Sequence, residues 1–309
     1  MILFADSSAG THTPTNQDSV FAELLHDARH GHMVFAVVAD GMGGMARGEV
    51  ASATVANHFA TWLRGADLTE VDPKRLRHEW CAVAEGIHEA LVVYSDREHI
   101  TLGSTATVLL LAAQRYHIMN VGDTRCYEIA DGIRQLTEDH SLVALEVRRG
   151  QLSQERARTD ARQNVLLQCL GAGASIQPDF FTGPAAPDAR YLVCTDGLRH
   201  LVSDDEIGQV LAQGPASLAQ LQELIKLNRD RGETDDISAV LIQNSPQGGT
   251  NPLESRGTTG GTDRLYPAGG GTNPLRSAIR GRGTQELQPP PGVIKPVQTA
   301  GAGRGRKPQ

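Results

Sequence analysis

The residues of this chain best suited to chemistry are carboxylates, and they stand where apolar runs begin or end. "VFAVVADGMGG" (34–44) closes a β-rich stretch on Asp40, and glycine dominates the residues after it. "YLVCTDG" (191–197) repeats that plan with Asp196 and Gly197. "VGDTR" (121–125) sets Asp123 just past another apolar run. "TNQDSV" (15–20) and "ETDDISAVLI" (233–242) set Asp18 and the pair Asp235–Asp236 just ahead of one. A single Asp-Gly is ordinary turn chemistry. Several such positions on strands that share a sheet edge would gather their carboxylates in one cleft. Gathered carboxylates repel one another and need protons or cations between them. All-oxygen donors select hard ions such as Mg²⁺, Mn²⁺ or Ca²⁺ over zinc. The eleven histidines are dispersed and offer no clustered alternative. In "DGMGG", Gly41 is expected to turn the backbone sharply so that its carbonyl faces the same ion as Asp40, with Gly43 and Gly44 leaving room above. A nucleotide-binding glycine loop finds no support, because neither GxxxxGK[ST] nor the Rossmann spacing is present.

The elements that must position these acids follow from composition and period. Strands are predicted over 33–39, 106–113, 116–121, 126–129, 191–195 and 237–243. Helices are predicted over 49–64, 73–94, 142–150, 154–168, 204–213 and 218–229, with Ser203 and Glu206 forming a capping box at one start. The short links "AAQRYH" and "VGDTRC" predict antiparallel neighbours on either side of each. The long helices come in two blocks rather than alternating with strands. That pattern predicts an α+β fold with an antiparallel core and helices outside, not a doubly wound parallel sheet.

The chain has 309 residues and a net charge of −7, split unevenly along its length. From Ser245 onward nine Lys/Arg stand against three acids, so this segment carries +6 and the remainder −13. The division predicts a folded acidic body over 1–244 and a Gly/Pro-rich, basic, disordered tail over 245–309, which cannot bury enough apolar surface to offset ordering entropy. "GGTNPL" occurs twice in that tail (248–253 and 270–275), too few copies for a solenoid. An acidic body argues against a nucleic-acid surface. Cys81, Cys126, Cys169 and Cys194 lack CxxC spacing and read as reduced core residues. With no apolar run of spanning length and no signal-peptide pattern, a cytoplasmic protein is expected. Monomer is the default expectation.

With these residues assembled, the chain resembles the metal-dependent protein phosphatases, the type 2C serine/threonine phosphatase family, in its compact bacterial form. "NQDS", "VVADGMGGMARGEVAS", "GSTATVLLL", "NVGDTRCYEI", "QLTEDHSLV", "LLQCLGAG", "YLVCTDGL" and "TDDISAVLI" occur in the family's order over about 5–243. The resemblance implies a four-layer sandwich of two antiparallel β-sheets flanked by α-helices. It implies that Asp40 bridges two Mn²⁺ or Mg²⁺ ions, that Gly41 lends one of them a carbonyl, and that Asp196 and Asp235 complete the other's ligands. By the same resemblance Asp123 helps hold a third ion, Asp18 acts through metal-bound water, and residues near 140–185 form a mobile flap beside the cleft. The implied reaction is hydrolysis of phosphoserine or phosphothreonine by a hydroxide shared between two cations, opposing a Hanks-type kinase.

Departures from the pattern open a second expectation. The family's phosphate-gripping arginine falls at Thr13, and its usual glutamate is Gln17. Met42 and Met45 stand where some relatives carry histidine, and Asp236 where asparagine is common. Arg47 is the candidate that would replace the missing phosphate ligand. The alternative is therefore a phosphopeptide-binding scaffold of the same fold that turns over poorly. Retention of Asp40, Asp196 and Asp235 together favours the enzyme.

Overall fold

The computed structural model describes residues 1–11, 15–27, 29–42, 47–245 and 264–265. All of them belong to a unit spanning Met1–Gly270. Three strands come first: β1 (Ile2–Ser8), β2 (Asp18–Asp27) and β3 (Gly31–Met42), followed by helices α1 (Gly48–Gly65) and α2 (Pro73–Glu98). Next are β4 (Gly103–Ser104), β5 (Ala106–Ala112), β6 (Arg115–Val121), β7 (Arg125–Ile129) and β8 (Ile133–Gln135), then the short helices α3 (Leu142–Arg148) and α4 (Gln154–Ala157). The last part holds β9 (Asp179–Pro184), β10 (Arg190–Cys194), a 3-10 turn at Asp196–Leu198, α5 (Asp204–Ala212), α6 (Leu218–Asp230), β11 (Ile237–Gln243) and β12 (Arg264–Leu265).

The strands form two antiparallel sheets. One runs β1-β11-β10-β7-β8, the other β12-β2-β3-β5-β6-β9 with β4 also paired to β3. β3 explains why they stack. Val34, Ala36 and Val38 point into a core shared with Cys126, Tyr191, Val193 and Val240 of the opposite sheet. Phe35, between them in sequence, points the other way and meets Trp62 of α1 at 5.4 Å and Trp80 of α2 at 6.1 Å. A strand buried on both faces reads as an unbroken apolar run, as 33–39 does. On the far side, Leu192, Leu241 and Ile237 pack with Ile207 and Leu211 of α5 and Leu221 and Leu224 of α6. The order is helix, sheet, sheet, helix.

Helix ends are set locally. The Asp72 carboxylate accepts from the N–H groups of Lys74 and Arg75, with Pro73 at the first position of α2. The Ser203–Glu206 capping box predicted at α5 is present.

Three expectations are corrected. "VGDTRC" does not join paired strands: β6 and β7 lie in different sheets, and the link crosses between them. The crossing turns at Gly122, whose φ of 102° is open to glycine and strained for other residues. The helix over 154–168 is only the four residues of α4, followed by turns. There the Asp160 carboxylate accepts from the N–H of Arg162, a local bond that competes with helix. Gly41 does not turn the chain, since β3 runs on through Met42 and pairs Gly41 with Ser104 of β4. Glycine is required there because a Cβ would overlap the carbonyl oxygens of Gly48 and Gln17. Beyond Ser245, the expected tail lies outside the described residues except for Arg264–Leu265, which pairs with β2.

Candidate metal centre

The acids meet at one end of the sandwich, and they come from both sheets rather than from one edge. Asp18 and Asp40 are register partners in the β2–β3 pairing. Asp196 follows β10, and Asp235 precedes β11 in the opposite sheet. Asp123 sits on the crossing between the sheets. The electrostatics record the convergence. Burial first, then Asp196, Asp18, Asp123 and Asp235, push the Asp40 carboxyl well above the usual carboxylate range. Burial also raises Asp18, with Asp236 and Asp196 adding to it against hydrogen bonds from Ser238 and Thr195. Burial and Asp196 raise Asp235.

Backbone and hydroxyl groups hold these side chains in place. The Asp40 N–H donates to Thr105 Oγ1 at 2.9 Å, and the Thr105 N–H returns a bond to the Asp40 carbonyl at 2.9 Å. Thr195 Oγ1 donates to Asp18 Oδ2 at 2.9 Å, tying the two sheets together at the site. This accounts for "GST" at 103–105 and "CTDG" at 194–197 as positioning sequences.

Asp196 is the centre's fixed anion. Burial opposes its charge, but the hydrogen bond and charge of His200, with Arg199, overcome that and hold it down at about 2. His200 Nε2 lies 3.1 Å from Asp196 Oδ2, and Nδ1 lies 3.1 Å from Glu233 Oε2. Burial would depress the imidazole, yet its bonds to Asp196 and Glu233 raise it to about 10, so both nitrogens donate. Sequence reading passed over His200. The available signal was its position four residues after Asp196.

A divalent cation fits this donor set. The Asp196 Oδ1 atom is buried without a hydrogen-bond partner. Ligand atoms of Asp196 and Asp235 lie within 4.8 Å of each other, while His200, with both nitrogens donating, orients Asp196 rather than ligating. Carboxyls that hold protons above their ordinary range must release them when a cation enters. Cation affinity should therefore rise with pH through the window above about 4, by about tenfold per pH unit for each proton displaced, and flatten once those carboxyls are ionised. Calorimetry of Mn²⁺ uptake in buffers of different ionisation enthalpy measures the release, and uptake without protons would contradict this electrostatic picture.

The remaining predicted positions divide. Arg47 is not with the acids. It caps α1 in the left-handed region (φ 78°), its Nη1 donates to the Tyr94 hydroxyl, and Glu98 lies 3.8 Å away, both partners on α2. Thr13, Gly43, Gly44 and Met45 lie outside the described residues. Asp236 does not face solvent: its Oδ1 accepts from the Gly10 N–H and its Oδ2 from the Gln17 N–H, each at 2.7 Å. Asp236→Ala would leave two part-buried donors unpaired, at a cost of about 2–4 kcal/mol. The expected fall in Tm is about 4–16 °C by calorimetry. A fall under about 2 °C would show that the clamp is not structural.

Beside the centre, a cleft of about 540 Å³ opens between α3–α4 and the segment after the 3-10 turn, with Asp139, Val147, Arg148 and His200 in its wall. Cys194 gives no nucleophile, since burial pushes its thiol up to about 12. Among the described residues, no helix is long and apolar enough to cross a membrane.

Comparison with known proteins identifies the family and the fold. The protein phosphatase 2C family matches residues 8–241. The serine/threonine phosphatase stp of Listeria monocytogenes serotype 4b is 31% identical over 212 residues, covering 67% of this chain and 83% of its own. The serine/threonine protein phosphatase PstP of Mycobacterium tuberculosis is 31% identical over 267 residues, 84% of this chain but 49% of PstP. The crystal structure of the serine/threonine phosphatase Stp1 from Staphylococcus aureus matches with a TM-score of 0.71 at 25% identity, over 78% of this chain and 94% of that one. The PstP catalytic domain in complex with two manganese ions matches with a TM-score of 0.63 at 29% identity, over 78% and 96%. Two stacked antiparallel sheets, acids gathered at their shared end and a match across nearly the whole described body lead to one conclusion: the chain belongs to the protein phosphatase 2C family.

Proposed function

We propose that the chain is a divalent-metal-dependent protein serine/threonine phosphatase that hydrolyses phosphoserine and phosphothreonine. The observation that carries this reading is the meeting of Asp18, Asp40, Asp196 and Asp235 from two sheets around an Asp196 oxygen left without a partner. Asp40, Asp196 and Asp235, with the Gly41 carbonyl, would hold a pair of Mn²⁺ or Mg²⁺ ions. Bound there, such ions would supply Lewis-acid activation of water and neutralise charge on the phosphoryl oxygens.

The chain's own residues set the conditions for that chemistry. His200 and Arg199 keep Asp196 ionised, so one ligand needs no deprotonation before a cation binds. Asp18, held by Thr195, would accept a hydrogen bond from water entering the site and orient it. The low-dielectric walls behind Asp40 and Asp196 strengthen each of these interactions. Because the products are a protein hydroxyl and inorganic phosphate, the opposing activity is a serine/threonine kinase.

The test is phosphate release from a phosphothreonine peptide with Mn²⁺ titrated in and then removed by chelator. Turnover that appears with the metal and stops on its removal is the expected result. Peptide binding without turnover at any metal concentration would leave the scaffold reading instead.

A further inference from the structure

We propose that the Arg199 guanidinium acts as a built-in cation at Asp123, so that the centre takes two divalent ions and the carboxylate of Asp123 is closed to a third. This rests on the metal-dependent reading above. Asp123 is 5% exposed and sits on the sheet-to-sheet crossing, one residue past Gly122. Two of its three oxygens, Oδ2 and the carbonyl, are already engaged by one nitrogen. Arg199 Nη2 donates to Asp123 Oδ2 at 3.1 Å and to the Asp123 carbonyl at 3.0 Å. A divalent ion using Oδ2 or the carbonyl would have to displace that guanidinium to reach about 2.0–2.6 Å, which leaves it Oδ1 alone beside a fixed cation. Asp123 as it stands therefore does not fit a third ion.

The surroundings make displacement of the arginine costly. Arg199 is itself buried, with its side chain 13% exposed. Its Nη2 also lies 3.9 Å from Asp139 Oδ2. Asp139 is in turn gripped by Arg125, which donates from Nε at 2.9 Å and from Nη2 at 2.7 Å. Two carboxylates and two guanidiniums thus alternate as Asp123, Arg199, Asp139, Arg125, and their charges balance. An ion entering at Asp123 would meet a guanidinium already seated on Oδ2, which offsets part of the negative charge it would otherwise draw on. Moving Arg199 off Asp123 would break both hydrogen bonds of a largely buried guanidinium and leave it only the longer contact to Asp139, and breaking such a pair is costly.

The turn after Asp196 fixes this arrangement. The Arg199 N–H donates to the Asp196 carbonyl at 2.8 Å, so the side chain leaves the 3-10 turn beside the acids and not toward solvent. A side chain without charge at position 199, on the same backbone, would leave Asp123 a free carboxylate facing the cluster.

Mn²⁺ stoichiometry measured by calorimetry and by electron paramagnetic resonance of free Mn²⁺ tests this on the full chain. The native protein should take two Mn²⁺, and Asp123→Asn should still take two. Arg199→Ala should take a third, weaker ion, and the double variant Arg199→Ala/Asp123→Asn should lose it again. A native count of three that falls to two in Asp123→Asn would overturn the proposal while leaving the metal-dependent reading intact, and it needs no change at Arg199. A folded Arg199→Ala that still takes two ions would also overturn it. A native count of zero would sink both this proposal and the reading on which it rests.

Discussion

Asp196→Asn is expected to lower phosphate release from a phosphothreonine peptide by about a thousandfold, since the Lewis-acid contribution at stake is several kcal/mol and each decade corresponds to about 1.4 kcal/mol. The substitution keeps the shape of the side chain and removes its charge. Asp196 is the one acid in the cluster held at about 2, and its Oδ1 is the unpartnered oxygen. Its neighbours Asp40, Asp18, Asp123 and Asp235 crowd one another with like charge. Removing one charge relieves that crowding but takes from His200 and Arg199 the anion they hold ionised, so the metal-free variant should stay folded with a somewhat lower Tm than the native chain. The rise in Tm that Mn²⁺ gives the native protein should disappear, because stabilisation by a ligand scales with its occupancy. Loss of activity with an intact fold and no metal response is a signature that general misfolding would not give. Activity within tenfold of native would remove Asp196 from the reaction.

Much of this centre is legible in the sequence alone, and particular residues show why. Asp40 and Asp196 each end an apolar run and precede glycine, a local pattern that needs no partner to be seen. The boundaries of β11 and the cap of α5 are equally local. What the sequence could not carry was pairing over long separations. "VGDTRC" looks like a hairpin link, yet its strands belong to different sheets, because a short link serves either arrangement and only packing decides. β1 was invisible for a related reason. "ILFADSS" lacks a strong strand pattern, but its backbone pairs residue for residue with β11 some 230 positions away. Arg199 and His200 look like surface residues of a turn, and their roles come from Asp123, Asp139 and Glu233 elsewhere in the chain. Asp236 stands beside Asp235 ahead of the same strand, where asparagine is common, and only the fold shows that its oxygens hold the backbone of the N-terminal loop.

Gly41→Ala should be the most damaging change that leaves every acid in place. The end of β3 and the start of α1 touch backbone to backbone: a Cβ on Gly41 would overlap the Gly48 carbonyl, and one on Gly48 would overlap the Gly41 carbonyl. The Gln17 carbonyl closes the third side and accepts the Gly41 N–H at 3.1 Å. None of these atoms is the end of a flexible side chain, so the strand tip itself must move. Asp40 is its immediate neighbour and moves with it. Overpacking of this kind costs about 1–3 kcal/mol, which at this size lowers Tm by about 2–12 °C. The effect on turnover should be larger in proportion, because displacing a reacting group by about 1 Å costs about a hundredfold. Gly86→Ala supplies the contrast. Gly86 lies within α2 with nothing near its missing Cβ, so alanine there should stabilise the fold by about 0.5–1 kcal/mol and leave turnover unchanged. If Gly41→Ala behaves like Gly86→Ala, close backbone approach is not what places Asp40, and the strand tip has more freedom than its contacts imply.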